Sequence, residues 1–160
     1  MTLTACTQRY VAWGAVLSGA ILLGGMAAAQ TVPAGWKTVT DMRKVCQIAV
    51  PADWTPDALL KSMLTSPDQK ANVVVHGMSA GTDFARVMAN AKMMLPPAKT
   101  FEESATRLWY EEAPKPGKTS TKWYFAIGGA QSCNAEIEFE GAALEGTAKK
   151  IVSSLALAAK

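Results

Sequence analysis

Gly77-Met78-Ser79-Ala80-Gly81 matches GxSxG, the pattern that holds a nucleophilic serine on a sharp turn between a strand and a helix. The flanks suit it: Val73-Val74-Val75 reads as a strand, and an amphipathic pattern follows the turn. The chemistry would be acyl transfer, with Ser79 attacking a carbonyl once a base has taken its proton. That base is the difficulty. The single histidine, His76, precedes the serine on the strand leading into the turn, where its ring is badly placed to take the proton; only a lysine could stand in. Two glycines and small residues also let a strand turn sharply into a helix with no catalytic purpose. The expectation is a protein that is not an enzyme, with a small serine hydrolase using the Gly77–Gly81 turn as the alternative.

Other residue sets could bind metal. Met63, Met78, Met88, Met93 and Met94 with His76 supply thioether and imidazole, suitable ligands for Cu(I). They form no tight MxxM cluster, Met88 falls on the apolar face of its helix, and methionine is ordinary core filling. Glu102-Glu103, Glu111-Glu112 and the row Glu136, Glu138, Glu140 could be catalytic carboxylates or calcium ligands. No DxDxDG loop accompanies them, and the row lies on the polar face of a strand, where charges face water. No metal and no cofactor is expected. A formal net charge of +3, with basic residues interspersed among acids, does not support nucleic acid as a partner, because a phosphate-binding surface clusters Lys and Arg.

The N-terminus reads as a targeting segment. Arg9 precedes an apolar run from Tyr10 to Met26, and Ala27-Ala28-Ala29 supplies the small residues of a cleavage site before Gln30. A retained anchor is the competing reading, but Gly14, Gly19, Gly24 and Gly25 dilute the run, where a spanning helix wants about 20 apolar residues. Cys6 lies upstream of the run and so is not the acylated cysteine of a lipoprotein. The expectation is a cleaved signal peptide over 1–29, one domain over 30–160, export to a bacterial periplasm, and no membrane association after cleavage. Cleavage leaves Cys46 and Cys133, and two cysteines in an oxidising compartment most simply form one disulfide. A metal site competes, but no CxxC or nearby histidine completes a ligand set.

The elements that must position these residues follow from periodicity. Cys133, Ala135, Ile137 and Phe139 alternate with polar residues, a strand with one buried face. Leu144, Ala148, Ile151, Val152 and Leu155 then recur at helical spacing. Earlier strands are expected over Lys44–Val50, ended by Pro51, over Leu59–Thr65 and over Asn72–His76, the last two joined at Ser66-Pro67-Asp68-Gln69. A helix over Asp83–Leu95, capped by Thr82 and stopped by Pro96-Pro97, buries Phe84, Val87, Met88, Ala91 and Leu95. Strands over Ser104–Glu112 and Thr121–Ile127 bring the total to six strands and two main helices. Cys46-Gln47-Ile48-Ala49-Val50-Pro51 with Trp54, the hairpin at Ser66-Pro67-Asp68, the mid-chain helix and the ending Lys150-Ile151-Val152-Ser153-Ser154-Leu155 resemble the PsbP-like fold. That fold is shared by the extrinsic photosystem II subunit and the yeast Ran-binding nuclear transport factor. The resemblance implies an α+β domain, a six-stranded antiparallel sheet with helices on both sides, and a binding or scaffold module without shared catalytic residues.

A working surface is expected on the hairpin Arg107–Ile127. Trp109, Tyr110, Trp123 and Tyr124 would offer partly exposed aromatic area, and Lys115, Lys118 and Lys122 face Glu111 and Glu112 on a loop stiffened by Pro114 and Pro116. The plainer reading makes the aromatics core and the lysines solubilising. The partner would be a protein or small ligand met in the periplasm.

Overall fold

Alternation of apolar and polar residues organises most of the fold, because successive side chains on a strand point to opposite faces. The structure, a computed structural model, describes residues 32–158 except positions 61, 80 and 130. The expected signal segment, 1–29, lies outside the described residues. The first half of the chain holds β1 (Trp36–Thr40), β2 (Cys46–Pro51), β3 (Thr55–Pro56), β4 (Met63–Thr65), β5 (Ala71–Gly77) and helix α1 (Phe84–Met94). The second half holds β6 (Pro97–Glu103), β7 (Arg107–Glu112), β8 (Thr121–Ile127), β9 (Cys133–Phe139), helix α2 (Glu145–Ser153) and β10 (Ala156–Leu157). A 3-10 turn, Ala142–Leu144, leads into α2. Two antiparallel sheets result, one in the order β3-β4-β5-β9-β8-β7-β6 and a smaller one in the order β1-β2-β10.

The mixed α+β class expected from the sequence is present, but the main sheet has seven strands, not six. β6 escaped notice because it is an exposed edge strand with two register shifts against β7, so its sequence shows no buried alternation. The strand expected over Leu59–Thr65 shrinks to Met63–Thr65. The Asp57 carboxylate accepts the N–H groups of Leu59 and Leu60, turning the chain and leaving both leucines exposed. The strand expected from Ser104 begins at Arg107, since Ser104 and Arg107 close a tight turn. Asp83, not Thr82, caps α1: its Oδ1 accepts the Ala85 N–H at 3.0 Å, while the Thr82 hydroxyl donates to the Ser79 carbonyl.

The two faces of the main sheet are covered differently. On one, Val73 and Val75 of β5, Ala135, Ile137 and Phe139 of β9, and Trp123 and Phe125 of β8 pack with the small sheet and with Ala148, Ile151 and Val152 of α2. On the other, Leu108, Tyr110, Tyr124 and Ala126 pack against Phe84, Val87 and Ala91 of α1. A Cβ at Gly128 would lie 2.4 Å from the Phe84 ring, so glycine there is what lets α1 seat its first aromatic. Burying a phenylalanine of that kind stabilises by about 1.5–3 kcal/mol. The Ser154 hydroxyl accepts the Ala49 N–H at 2.8 Å and donates to the Ile151 carbonyl, fixing the end of α2 to β2.

The expected disulfide joins Cys46 in β2 to Cys133 in β9, with Cα atoms 5.8 Å apart and both side chains 0% exposed. It closes a loop across 87 positions, which the chain-entropy model values at up to about 4–5 kcal/mol. Beside it lies a buried carboxylate. Asp41 Oδ1 accepts the N–H groups of Val45 and Cys46, both at 2.7 Å, and Oδ2 that of Arg43 at 2.9 Å. Burial pushes this carboxyl up, but backbone N–H groups of Cys46, Arg43, Val45 and Gly77 together outweigh it and hold it below the usual aspartate range.

Asp41→Asn keeps the shape but turns an amide donor toward backbone donors, so it should cost about 2–3 kcal/mol at neutral pH. A carboxyl depressed in the folded state stabilises above its unfolded pKa and loses that contribution as pH falls through the folded value. Chemical denaturation followed from pH 7 down to about pH 2 should therefore show a steeper acid decline in wild type than in Asp41→Asn. Parallel pH profiles would contradict this account.

Candidate functional site

The GxSxG turn was the sharpest chemical signal, and its geometry has structural causes. β5 is flanked by antiparallel neighbours, β4 and β9, not by the parallel strands around a hydrolase elbow. A Cβ on Gly77 would sit 2.7 Å from Val45 Cβ and 2.8 Å from Asp41 Oδ2, so this position needs glycine to pass the β1–β2 loop. Gly81 has φ 77°, the left-handed region that favours glycine. The Ser79 hydroxyl accepts from the Arg43 guanidinium at 3.2 Å, and a guanidinium does not take a proton. His76 is exposed near the end of β5, its backbone in register with Asn134 of β9. Of the methionines, Met78 and Met88 pack against the α1-side core, and Met93 and Met94 are exposed.

The hairpin residues fall into two groups. Tyr110, Trp123 and Tyr124 are core, at 0%, 2% and 3% exposure, which corrects the expectation of exposed aromatic area. The reason is that both faces of β7 and β8 are covered. Trp123 packs edge-on against Trp109 and Phe139 on the α2 side, with Phe101 of β6 closing over Trp109, and Tyr110 stacks on Tyr124 at 5.3 Å under α1. Trp109 is half-buried. Lys115 and Lys118 do stand on the exposed loop, whereas Lys122 is half-buried on β8, 4.0 Å from Glu136 and 3.9 Å from Glu138.

Lys115, Lys118 and Lys122 border one cavity of about 290 Å³ with Glu111, Glu112 and Glu138. Glu112, the last residue of β7, is only 5% exposed, and its Oε1 has no hydrogen-bond partner among the described residues. Burial pushes its carboxyl up, an effect that Lys122 and Lys115 reduce and Glu136 and Glu138 reinforce. The sequence flagged the lysines; nothing in it marked Glu112 as the buried member of its pair with Glu111.

A second concavity was not legible in the sequence. A groove of about 740 Å³ runs between α1 and the floor made by β8 and β9. Val87 and Ala91 form its helix wall, and Tyr124, Asn134 and Glu136 its floor. Asn134 Nδ2 donates to Tyr124 Oη at 3.2 Å, and Asn134 Oδ1 is buried without a partner. Burial pushes the Tyr124 phenol up, against the Asn134 hydrogen bond that favours its ionised form. The period-two pattern of β9 does place Asn134 and Glu136 on one face, but sequence alone could not show that α1 leaves them uncovered.

No protein-family model matches the chain, and no curated protein matches it. Among solved structures it is similar to a crystal structure from Bacteroides thetaiotaomicron VPI-5482, with TM-score 0.54 and 12% identity over 79% of this chain. It spans about half of that protein, 49% of its chain. It is also similar to the solution structure of cyanobacterial PsbP (CyanoP) from Synechocystis sp. PCC 6803, with TM-score 0.49 and 11% identity, covering 84% of this chain and 98% of that one. At these identities the likeness concerns the fold alone.

A fluorophosphonate probe is expected to leave Ser79 unlabelled, since among the described residues the hydroxyl's side-chain partner is the Arg43 guanidinium, which does not take its proton. Labelling that is lost in Ser79→Ala would reinstate the hydrolase.

Proposed function

We propose that this protein is an exported, non-catalytic binding module whose protein partner docks on the end of the β7–β8 hairpin. The observation that carries the reading is Glu112. A buried carboxylate oxygen left unpaired costs about 1–3 kcal/mol or more, and Glu112, whose Oε1 is buried without a partner among the described residues, lines the cavity that Lys115, Lys118 and Lys122 border. Such a site suits a mixed-charge surface, with a donor entering toward Glu112 while acidic groups meet the lysines. Pro114 and Pro116 limit the ordering cost of the loop. The buried disulfide fits maturation in an oxidising compartment, and a bacterial periplasm is the compartment the signal-like N-terminus favours. Among the described residues no helix is long and apolar enough to cross a membrane.

The test uses Lys115→Glu with Lys118→Glu. Lys122 is left in place, because a glutamate there would face Glu136 and Glu138 and report repulsion instead of recognition. The double variant should keep the wild-type denaturation midpoint, since exposed charges change stability by about 0.5 kcal/mol or less. It should lose capture of periplasmic proteins that wild type retains. Equal capture by both would remove the hairpin end as the site.

Export has its own measurement. Protein recovered from a secreting bacterial host should have the intact mass of a chain beginning at Gln30. A membrane-embedded product that keeps residues 1–29 would overturn cleavage.

A further inference from the structure

We infer that the groove between α1 and the β8–β9 floor binds a small amphipathic amine, an apolar chain or ring that ends in an ammonium group. This site is distinct from the hairpin end and does not depend on the reading given to it. A concavity of about 740 Å³ is in the range of small-ligand sites, mostly apolar with a few convergent polar groups. Its helix wall is apolar at Val87, Ala91 and Leu95. Ala91 is the small residue that leaves the space open. Met78 and Met94 close two sides with flexible thioether chains that adapt to ligand shape.

The polar end decides the head group. Asn134 gives one of its two amide N–H groups to Tyr124 Oη, and its Oδ1, an acceptor, is buried without a partner among the described residues. Glu136 adds a half-buried carboxylate to the same floor. Asp83 stands at the mouth with Arg86, and Lys122 of β8 approaches Glu136 only at the long distance of 4.0 Å. Acceptors on the floor and a partly desolvated carboxylate call for a donor that carries positive charge. A carboxylate or phosphate head would place its charge against Glu136 and leave Asn134 Oδ1 unpaired, so anionic amphiphiles are disfavoured. A primary ammonium satisfies both groups, and its apolar tail lies along Val87, Ala91 and Leu95.

The test titrates the disulfide-bonded mature chain with octylammonium, octanoate and octanol at neutral pH, by calorimetry and by amide chemical shifts. Octylammonium should bind about tenfold tighter than octanoate, with shifts centred on α1, Tyr124 and Asn134. Asn90→Trp places a large ring at the groove from an exposed helix position; it should weaken the amine about tenfold while circular dichroism stays unchanged. Asn134→Ala and Glu136→Gln should remove the preference for amine over octanol and leave octanol affinity in place. Octanoate binding as tightly as octylammonium, undiminished binding in Asn90→Trp, or no octylammonium binding at millimolar concentration would each overturn the assignment. Lys115→Glu with Lys118→Glu should change amine affinity by less than about fivefold, against the tenfold loss in Asn90→Trp, which separates failure here from failure at the hairpin end.

Discussion

A three-stranded sheet has to be held against the middle of a seven-stranded one, and the rest of this structure hangs on that junction. Four residues close it into a ring. Asp41 accepts the Cys46 N–H, Cys46 is bonded to Cys133, Cys133 pairs across the strands with Gly77, and Gly77 lies against the Asp41 carboxylate. Each link supports the next. The disulfide limits how far β2 can leave β9, and that keeps Asp41 buried where four backbone N–H groups hold its charge. A buried charge is tolerable only when so satisfied. The glycine allows the approach, and any side chain there would force the loop away from the strand.

With the small sheet and α2 committed to one face of β5, β9 and β8, the other face is left to α1 alone. α1 is 11 residues long, about 16 Å at the rise of an α-helix, and it covers the β7–β8 half of that face. Asn134 and Glu136 of β9, and the outward residues of β5, therefore lie beyond its edge. Both candidate sites arise from this shortfall. The groove runs along the uncovered flank of α1, and the hairpin cavity opens where β7 and β8 extend past it.

How much of this the sequence disclosed depends on how local the cause was. β9 and α2 were plain because one face of each is apolar at regular spacing, and the cysteines were paired because two remain after cleavage in an oxidising compartment. β6 was invisible because an exposed edge strand needs no apolar alternation. Of the four aromatics of the β7–β8 hairpin, Tyr110, Trp123 and Tyr124 are core and Trp109 is half-buried, and the sequence could not decide between partial exposure and core for a different reason. Their alternation says only that two residues point each way; it does not say that both faces are covered, which is decided by α1 and by Phe101 and Phe139. Gly77 is the instructive case. Its type was read as part of a nucleophile turn, but its cause lies in Asp41 and Val45, more than thirty positions earlier in the chain.

Lys122 links the two candidate sites. Its ammonium lies between Glu136, on the groove floor, and Glu138, at the hairpin cavity, at 4.0 Å and 3.9 Å. Ion pairs this exposed are worth about 1 kcal/mol or less each, so Lys122 is free to favour either carboxylate at small cost. A cation at Glu136 repels it toward Glu138, adding positive potential at the hairpin cavity, where Lys115 and Lys118 already stand. A donor approaching Glu138 does the reverse. If both proposed sites bind, sharing this charge couples them, and the coupling acts equally in both directions. Its size is bounded by the ion pairs that transmit it, about a factor of five in affinity for 1 kcal/mol. If both proposed sites bind, no moving element is needed for one to sense the other, because Lys122 of β8 lies across from both carboxylates of β9.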